Sequence, residues 1–148
     1  MSSVIDLPFQ FLDVHHGFSV QLPCAPVRLS LQAIAGWPGI GACVRSEFAI
    51  PDSDGSVDIY LELYAAADNA VLHHEEQRRW MAELAVRVGD GPVEANSTWV
   101  AEALLVYDGG GRSLVVAVRD GVCVVNVDAT ADLDAAAAAV FSSVRVRA

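Results

Sequence analysis

Apolar and polar residues alternate along much of this chain, and that period of two predicts β-strands. Phe18, Val20 and Leu22 alternate with Ser19 and Gln21 until Pro23 ends the run. Val27, Leu29 and Leu31 alternate with Arg28, Ser30 and Gln32 and predict a second strand. Residues 36–41, Gly-Trp-Pro-Gly-Ile-Gly, read as a loop. Cys43 to Ile50 predicts a third strand, stopped by Pro51, and Asp52-Ser53-Asp54-Gly55 is a turn signal. The fourth strand, Val57 to Tyr64, has the clearest alternation: Val57, Ile59, Leu61 and Leu63 on one face, Asp58, Tyr60, Glu62 and Tyr64 on the other. Ser97–Tyr107, Arg112–Val118 and Val122–Val127 predict three more strands. Asp120-Gly121 between two apolar runs is a strong hairpin signal.

Two segments change period. Val71, Met81, Leu84, Ala85 and Val88 fall near helical spacing, with His74 and Gln77 extending the stripe. Asp68 or Asn69 is placed to cap this helix, and Gly89 and Pro92 to close it. The second helix follows Thr130 as its cap, with Asp132 and Asp134 near its positive end, and runs through the alanines to about Phe141 or Val144. Residues 1–16 are mixed and read as an N-terminal arm on a single domain spanning 1–148.

The late hairpin carries the main architectural inference. Leu114-Val115-Val116-Ala117-Val118 and Val122-Cys123-Val124-Val125 are apolar on both faces, whereas a solvated face would alternate. The middle of the sheet is therefore expected to be covered on both sides. The expected fold is α+β: an antiparallel sheet of about six to seven strands with one helix on each face, or with a second subunit across one face.

Composition narrows the function. Hydrophobic residues make up 53% of 148 residues, largely Ala and Val, and mean hydropathy is +0.38. Part of that excess is expected to be surface that a protein partner or a second copy covers. Net charge is −10, and all nine cations are arginine, so nucleic acid is not an expected partner. The absence of lysine fits a high-GC genome. No signal peptide or membrane-length apolar run is read, which makes the expected location cytoplasmic, without membrane insertion. Cys24, Cys43 and Cys123 read as small buried hydrophobes.

Candidate chemistry is thin. His15-His16 and His73-His74 are neighbours whose side chains diverge, and neither makes a chelate by itself. Asp52-Ser53-Asp54-Gly55 fails as a calcium loop, because its register sets Ile50 and Leu61 where oxygen ligands are needed. The glycines of 36–41 lack the Lys-Ser/Thr of a phosphate loop. No catalytic residue, metal site or cofactor is assigned.

Gly17-Phe18-Ser19-Val20-Gln21-Leu22-Pro23 and Ala139-Val140-Phe141-Ser142-Ser143-Val144 resemble the opening and closing motifs of the PsbP-like superfamily. That superfamily includes a photosystem II extrinsic subunit, a fungal Ran-binding import factor and actinobacterial LpqN-type lipoproteins. The order of strands, helix and strand meander between the motifs is similar too. The resemblance implies an α/β/α sandwich serving as a non-enzymatic interaction module, although the chain shows neither the signal peptide nor the lipidation cysteine of the lipoprotein branch. The first expectation is thus a protein-binding module, adaptor or chaperone-like accessory. The alternative is a small-molecule-binding protein or enzyme with a pocket between sheet and helix. Trp37, Tyr60, Tyr64, Trp80 and Trp99 are the candidate partner or ligand contacts.

Overall fold

The computed structural model describes residues 6–37, 41–50, 57–67, 72–89, 97–100, 102–107, 111–129 and 132–147, with the side chains of 35–37 and 41–42 left aside. The fold is α+β, built from two antiparallel sheets and two helices. The strands are β1 (Phe9–Asp13), β2 (Phe18–Leu22), β3 (Val27–Trp37), β4 (Gly41–Ala49) and β5 (Val57–Ala66). Helix α1 (His74–Gly89) precedes β6 (Ser97–Val100), β7 (Ala103–Tyr107), β8 (Arg112–Val118) and β9 (Gly121–Ala129). Helix α2 (Leu133–Ser142) and β10 (Arg145–Val146) follow. The large sheet has seven strands in the order β3-β4-β5-β9-β8-β7-β6, and the small one is β1-β2-β10.

Alternation along β8 and β9 divides the interior into two cores. Leu114, Val116, Val118, Cys123, Val125 and Val127 join one cluster, while Val115, Val122 and Val124 join the other. Successive strand residues point to opposite faces, so the clusters lie on opposite sides of the large sheet. Helix α1 supplies Trp80, Met81, Leu84 and Ala85 to one. The other holds Ala136, Ala137 and Val140 of α2 together with Phe18, Val20 and Leu22 of β2. The expected one-helix-per-face sandwich therefore needs correction on the α2 side, where the helix shares its face with a second sheet.

One strand of that second sheet, β1, comes from the segment expected to be an arm. Phe9 and Phe11 turn inward while Gln10 and Leu12 turn outward, and β1 pairs with β2 from Phe9↔Leu22 to Asp13↔Phe18. Pro8 precedes the strand, where its missing N–H costs no ladder bond. Phe11 packs on Phe18 and Phe48 at ring separations of 6.4 and 5.4 Å. The tail adds β10, with Arg145 opposite Ser19 and Val146 opposite Phe18. Ser143 Oγ fixes the crossing: it accepts from the Gln21 N–H at 2.9 Å and donates to the Val140 carbonyl at 2.6 Å.

Three other expectations are corrected. Residues 36 and 37 continue β3, with Trp37 opposite Gly41, so the glycine-rich stretch is not wholly a loop. The run Ser97–Tyr107 is two strands, with Val100 opposite Ala103 across a turn that includes Glu102. No Gly, Pro, Asn or Asp marks that turn, which is why alternation alone merges the strands. In the β8–β9 hairpin, the positive φ of 55° falls on Asp120. Gly121 is instead the first residue of β9, where an added Cβ would meet the Tyr64 carbonyl oxygen at 2.6 Å. Its role is the close approach of β5. The expected helix positions Asp68, Asn69, Val71, Pro92 and Thr130, and the turn 52–55, lie outside the described residues. The N-cap of α2 is Asp132, at φ 52°.

Candidate functional site

Helix α2 is short and nearly all alanine on its flanks. Its first intrahelical bond runs from the Ala136 N–H to the Asp132 carbonyl, and Asp134 sits favourably in the first turn. Ala136, Ala137 and Val140 face the core, while Ala135 and Ala138 are exposed. A helix this thin contacts β8 and β9 and leaves the outer strands of the same face partly open.

The open strip is apolar because of the alternation in β7. Leu104 and Val106 are buried under α1, whereas Ala103 and Leu105 turn to the α2 side and are half-buried. The result is a groove of about 380 Å³. Val100, Ala103, Leu105, Leu114 and Val116 form its floor. Ala138, Phe141 and Val144, on and just beyond α2, form its wall. None of these eight side chains titrates.

The groove continues past Leu105, Ala138 and Phe141 into a second hollow of about 310 Å³ that ends at Tyr107, Arg112 and Asp134. Arg112 Nε donates to Asp134 Oδ1 at 3.1 Å, and its Nη1 donates to the Gly111 carbonyl at 2.9 Å. The guanidinium lies 4.9 Å from the Tyr107 ring centroid, within cation–π range. Asp134 is 84% exposed, so this ion pair is worth at most about 1 kcal/mol.

The five aromatics expected as contacts are dispersed. Trp80 is 1% exposed and Tyr64 5% exposed, both in the core under α1. Tyr60 and Trp99 are exposed on β5 and β6, and Trp37 ends β3. The Arg78 guanidinium lies 3.9 Å from the Trp99 ring centroid and 3.8 Å from Glu102. Tyr60, Tyr64, Trp80 and Trp99 do not line the groove. Its actual lining was hidden by the unmarked turn between β6 and β7. Read as one strand, Val100 and Leu105 fall on opposite faces; the hairpin puts both on the α2 side, the one-residue slip that inverts a strand's faces.

A second polar constellation lies on the α1 side, beyond the reach of that helix. Arg45 pairs with Glu47, and its Nη1 stands 3.5 Å from Glu62 Oε2. The Tyr64 hydroxyl donates to Glu62 at 3.0 Å, and Ser30 donates to Glu47 at 2.8 Å. Burial pushes the Glu62 carboxyl pKa up, and the Tyr64 hydrogen bond and Arg45 charge pull it partly back. Burial and the Glu62 charge together raise the Tyr64 hydroxyl. These groups pair with one another, although the buried Arg45 Nε finds no hydrogen-bond partner among the described residues.

Of the histidines and cysteines, His16, Cys43 and Cys123 are buried, Cys24 is half-buried, and His15, His73 and His74 are exposed. His16 is buried: its N–H and ring Nδ1 each meet an Asp13 carboxylate oxygen at 3.1 Å, and its carbonyl accepts from the Arg119 N–H at 3.0 Å. Those bonds close the β1–β2 turn against the β8–β9 turn. Cys43 and Cys123 are buried free thiols whose pKa values burial raises, so the reactive thiolate is disfavoured. Among the described residues no group of three or more His, Cys, Asp or Glu is placed to hold a metal, and no helix is long and apolar enough to cross a membrane. Comparison with protein-family models, with curated proteins and with solved structures gives no match.

Proposed function

We propose that this protein is a non-enzymatic interaction module, an adaptor or chaperone-like accessory of PsbP-like layered architecture, acting in the cytoplasm. The observation that carries the reading is the composition of the groove: eight apolar side chains on a sheet-and-helix floor, with no titratable group among them. Chemistry on a substrate needs converging polar groups, whereas docking needs apolar area that water leaves favourably. The rim agrees. Val100 is 53% exposed and Tyr107 44%, and an exposed apolar residue with an aromatic at the border of an apolar strip suits a protein interface. The overall charge of −10 favours a partner that is not a polyanion.

A photo-crosslinking residue in place of Ala138, in the groove wall, tests this in the producing cell. One in place of Glu83, exposed on α1, is the control. A discrete protein adduct at 138 that is absent at 83 is expected. Equal labelling at both positions, or none at 138, would remove the reading. Groove volume supports the second reading, a small apolar ligand, because about 380 Å³ lies within the size of small-molecule sites. A ligand that co-purifies, and whose removal lowers the melting temperature, would favour it.

A further inference from the structure

Each of the two sheets has two edge strands, and β3 is unlike the other three. Strand β6 has four residues, β1 has five and follows Pro8, and β10 has two. Strand β3 has eleven, with a neighbouring strand on one side only. A long edge turns a row of backbone N–H and C=O groups outward, and natural edges are blunted by lysine, proline, inward charges or shortness. The chain has no lysine, β3 has no proline, and its one charged residue is Arg28. Along it Val27 and Leu29 are each 51% exposed and Leu31 57%. Such an edge specifies another extended strand as its occupant, because only a strand matches that spacing of donors and acceptors.

The irregularities of β3 narrow the choice of strand. Its pairing with β4 slips between Arg28 and Ser30, and again between Ile34 and Trp37. Each slip gives β3 one residue more than β4, the signature of a bulge. The regular run between the slips, Ser30–Ile34, is centred on Gln32. A regular foreign strand would lose register at each slip, as β4 does. A second β3, antiparallel about Gln32, carries one extra residue on each side of the same run and keeps register throughout. It sets Leu31 against Ala33 and Ile34 against Ser30, a large side chain beside a small one each time, with Gln32 against Gln32. No charge meets a like charge in that run.

We infer that β3 joins two copies of this chain, the strands antiparallel about Gln32 and the two seven-stranded sheets continuous. This edge is separate from the groove beside α2, at the opposite end of the same sheet. The two-fold axis stands perpendicular to the sheet, so each face continues into the same face of the other copy. Nothing described of the chain blocks that approach. Helices α1 and α2 rest over β7, β8 and β9, away from β3. The small sheet reaches β4 through Phe11 against Phe48 and leaves Leu31 exposed. The joined pair holds its two grooves at its outer ends, so one assembly can engage two partner sites at once. Eleven residues at about 3.3 Å each, along an edge about 10 Å thick, cover about 360 Å² per copy, and interfaces this small are weak.

Size-exclusion chromatography with light scattering, from about 10 μM to about 1 mM, is the test. The mass should rise with concentration from the 15.7 kDa of one chain toward twice that value. Gln32→Lys and Gln32→Glu each set like charges face to face at an exposed position. Each should weaken the dimer at least about fivefold, while circular dichroism and melting of the dilute monomer stay unchanged. An equal mixture of the two variants should recover the dimer as a heterodimer. Hydrogen exchange in the wild type should show amides within Ser30–Ile34 gaining protection as concentration rises. A monomer at every concentration overturns the inference. So does a dimer indifferent to both charge variants, or a mixture that fails to recover it. Concentration-dependent protection on β6 or β7 in place of β3 overturns it too.

Discussion

The two sides of the large sheet leave different things uncovered. On the α1 side, the strip beyond the helix holds Ser30, Arg45, Glu47, Glu62 and Tyr64, which bond to one another. On the α2 side, the strip beyond the helix is the apolar groove floored by Ala103 and Leu105. Both helices are narrower than the sheet, so each leaves a remainder. A polar remainder is complete in a monomer because its groups find partners within the chain or in water. An apolar remainder is complete only when something else excludes the water. The difference separates a surface that finishes the fold from one that is available for function.

The comparison breaks first at its foundation. If both sides carry a true core, then Val124→Asp, under α1, and Val125→Asp, under α2 and the small sheet, should each cost more than about 4 kcal/mol or abolish folding. A well-folded variant of either kind, seen by urea titration, would remove that side's core. The anchors of the two helices should differ next. Trp80→Ala empties a fully buried site and should cost about 3–5 kcal/mol, whereas Val140→Ala should cost about 1–3 kcal/mol. Equal losses on denaturation would mean that α2 is held as firmly as α1.

Between the two remainders the contrast is sharper in function than in stability. Leu105→Ser, in the groove floor, should change monomer stability by no more than about 1.5 kcal/mol, since the side chain is only half-buried. It should nevertheless abolish the partner adduct at position 138. Persistence of that adduct would exclude the floor from docking. The smallest effect belongs to the polar strip. Because burial raises the Glu62 pKa in the folded protein, the folded state holds that proton more tightly than the unfolded chain, and stability falls as pH rises through the shifted value. Glu62→Gln should therefore melt at or above the wild-type temperature at pH 7. The difference should shrink toward zero as the pH falls below that value. A variant that is less stable at pH 7 and equal at low pH would show that the Arg45 pairing outweighs the burial.

Much of this molecule was legible along the chain, and the places where reading stopped have a common cause. Strands β2, β4, β5, β8 and β9 announce themselves because one or both faces are buried, and burial writes itself into residue type at a period of two. Helix α1 was legible from Met81, Leu84, Ala85 and Val88 for the same reason at a period near four. The β6–β7 hairpin was not, since no Gly, Pro, Asn or Asp stands between Val100 and Ala103. Strand β1 was missed because Leu12 and Asp13 break the alternation that Phe9, Gln10 and Phe11 begin: apolar Leu12 faces out, 59% exposed, and Asp13 turns in. Nothing in the local pattern marks His16 as buried; Asp13 and the Arg119 N–H, brought to it by two turns, satisfy its polar groups there.

Local pattern dictates the class of the fold, the strands at its centre and the demand that β8 and β9 be covered on both faces. Those follow because each residue's hydropathy reports its own burial. What covers each face, and where the cover falls short, was decided only in three dimensions. Trp80 became core, the tail became β10 and the groove opened beside α2 because helix width, strand spacing and register set the fit between elements. No residue records that fit alone.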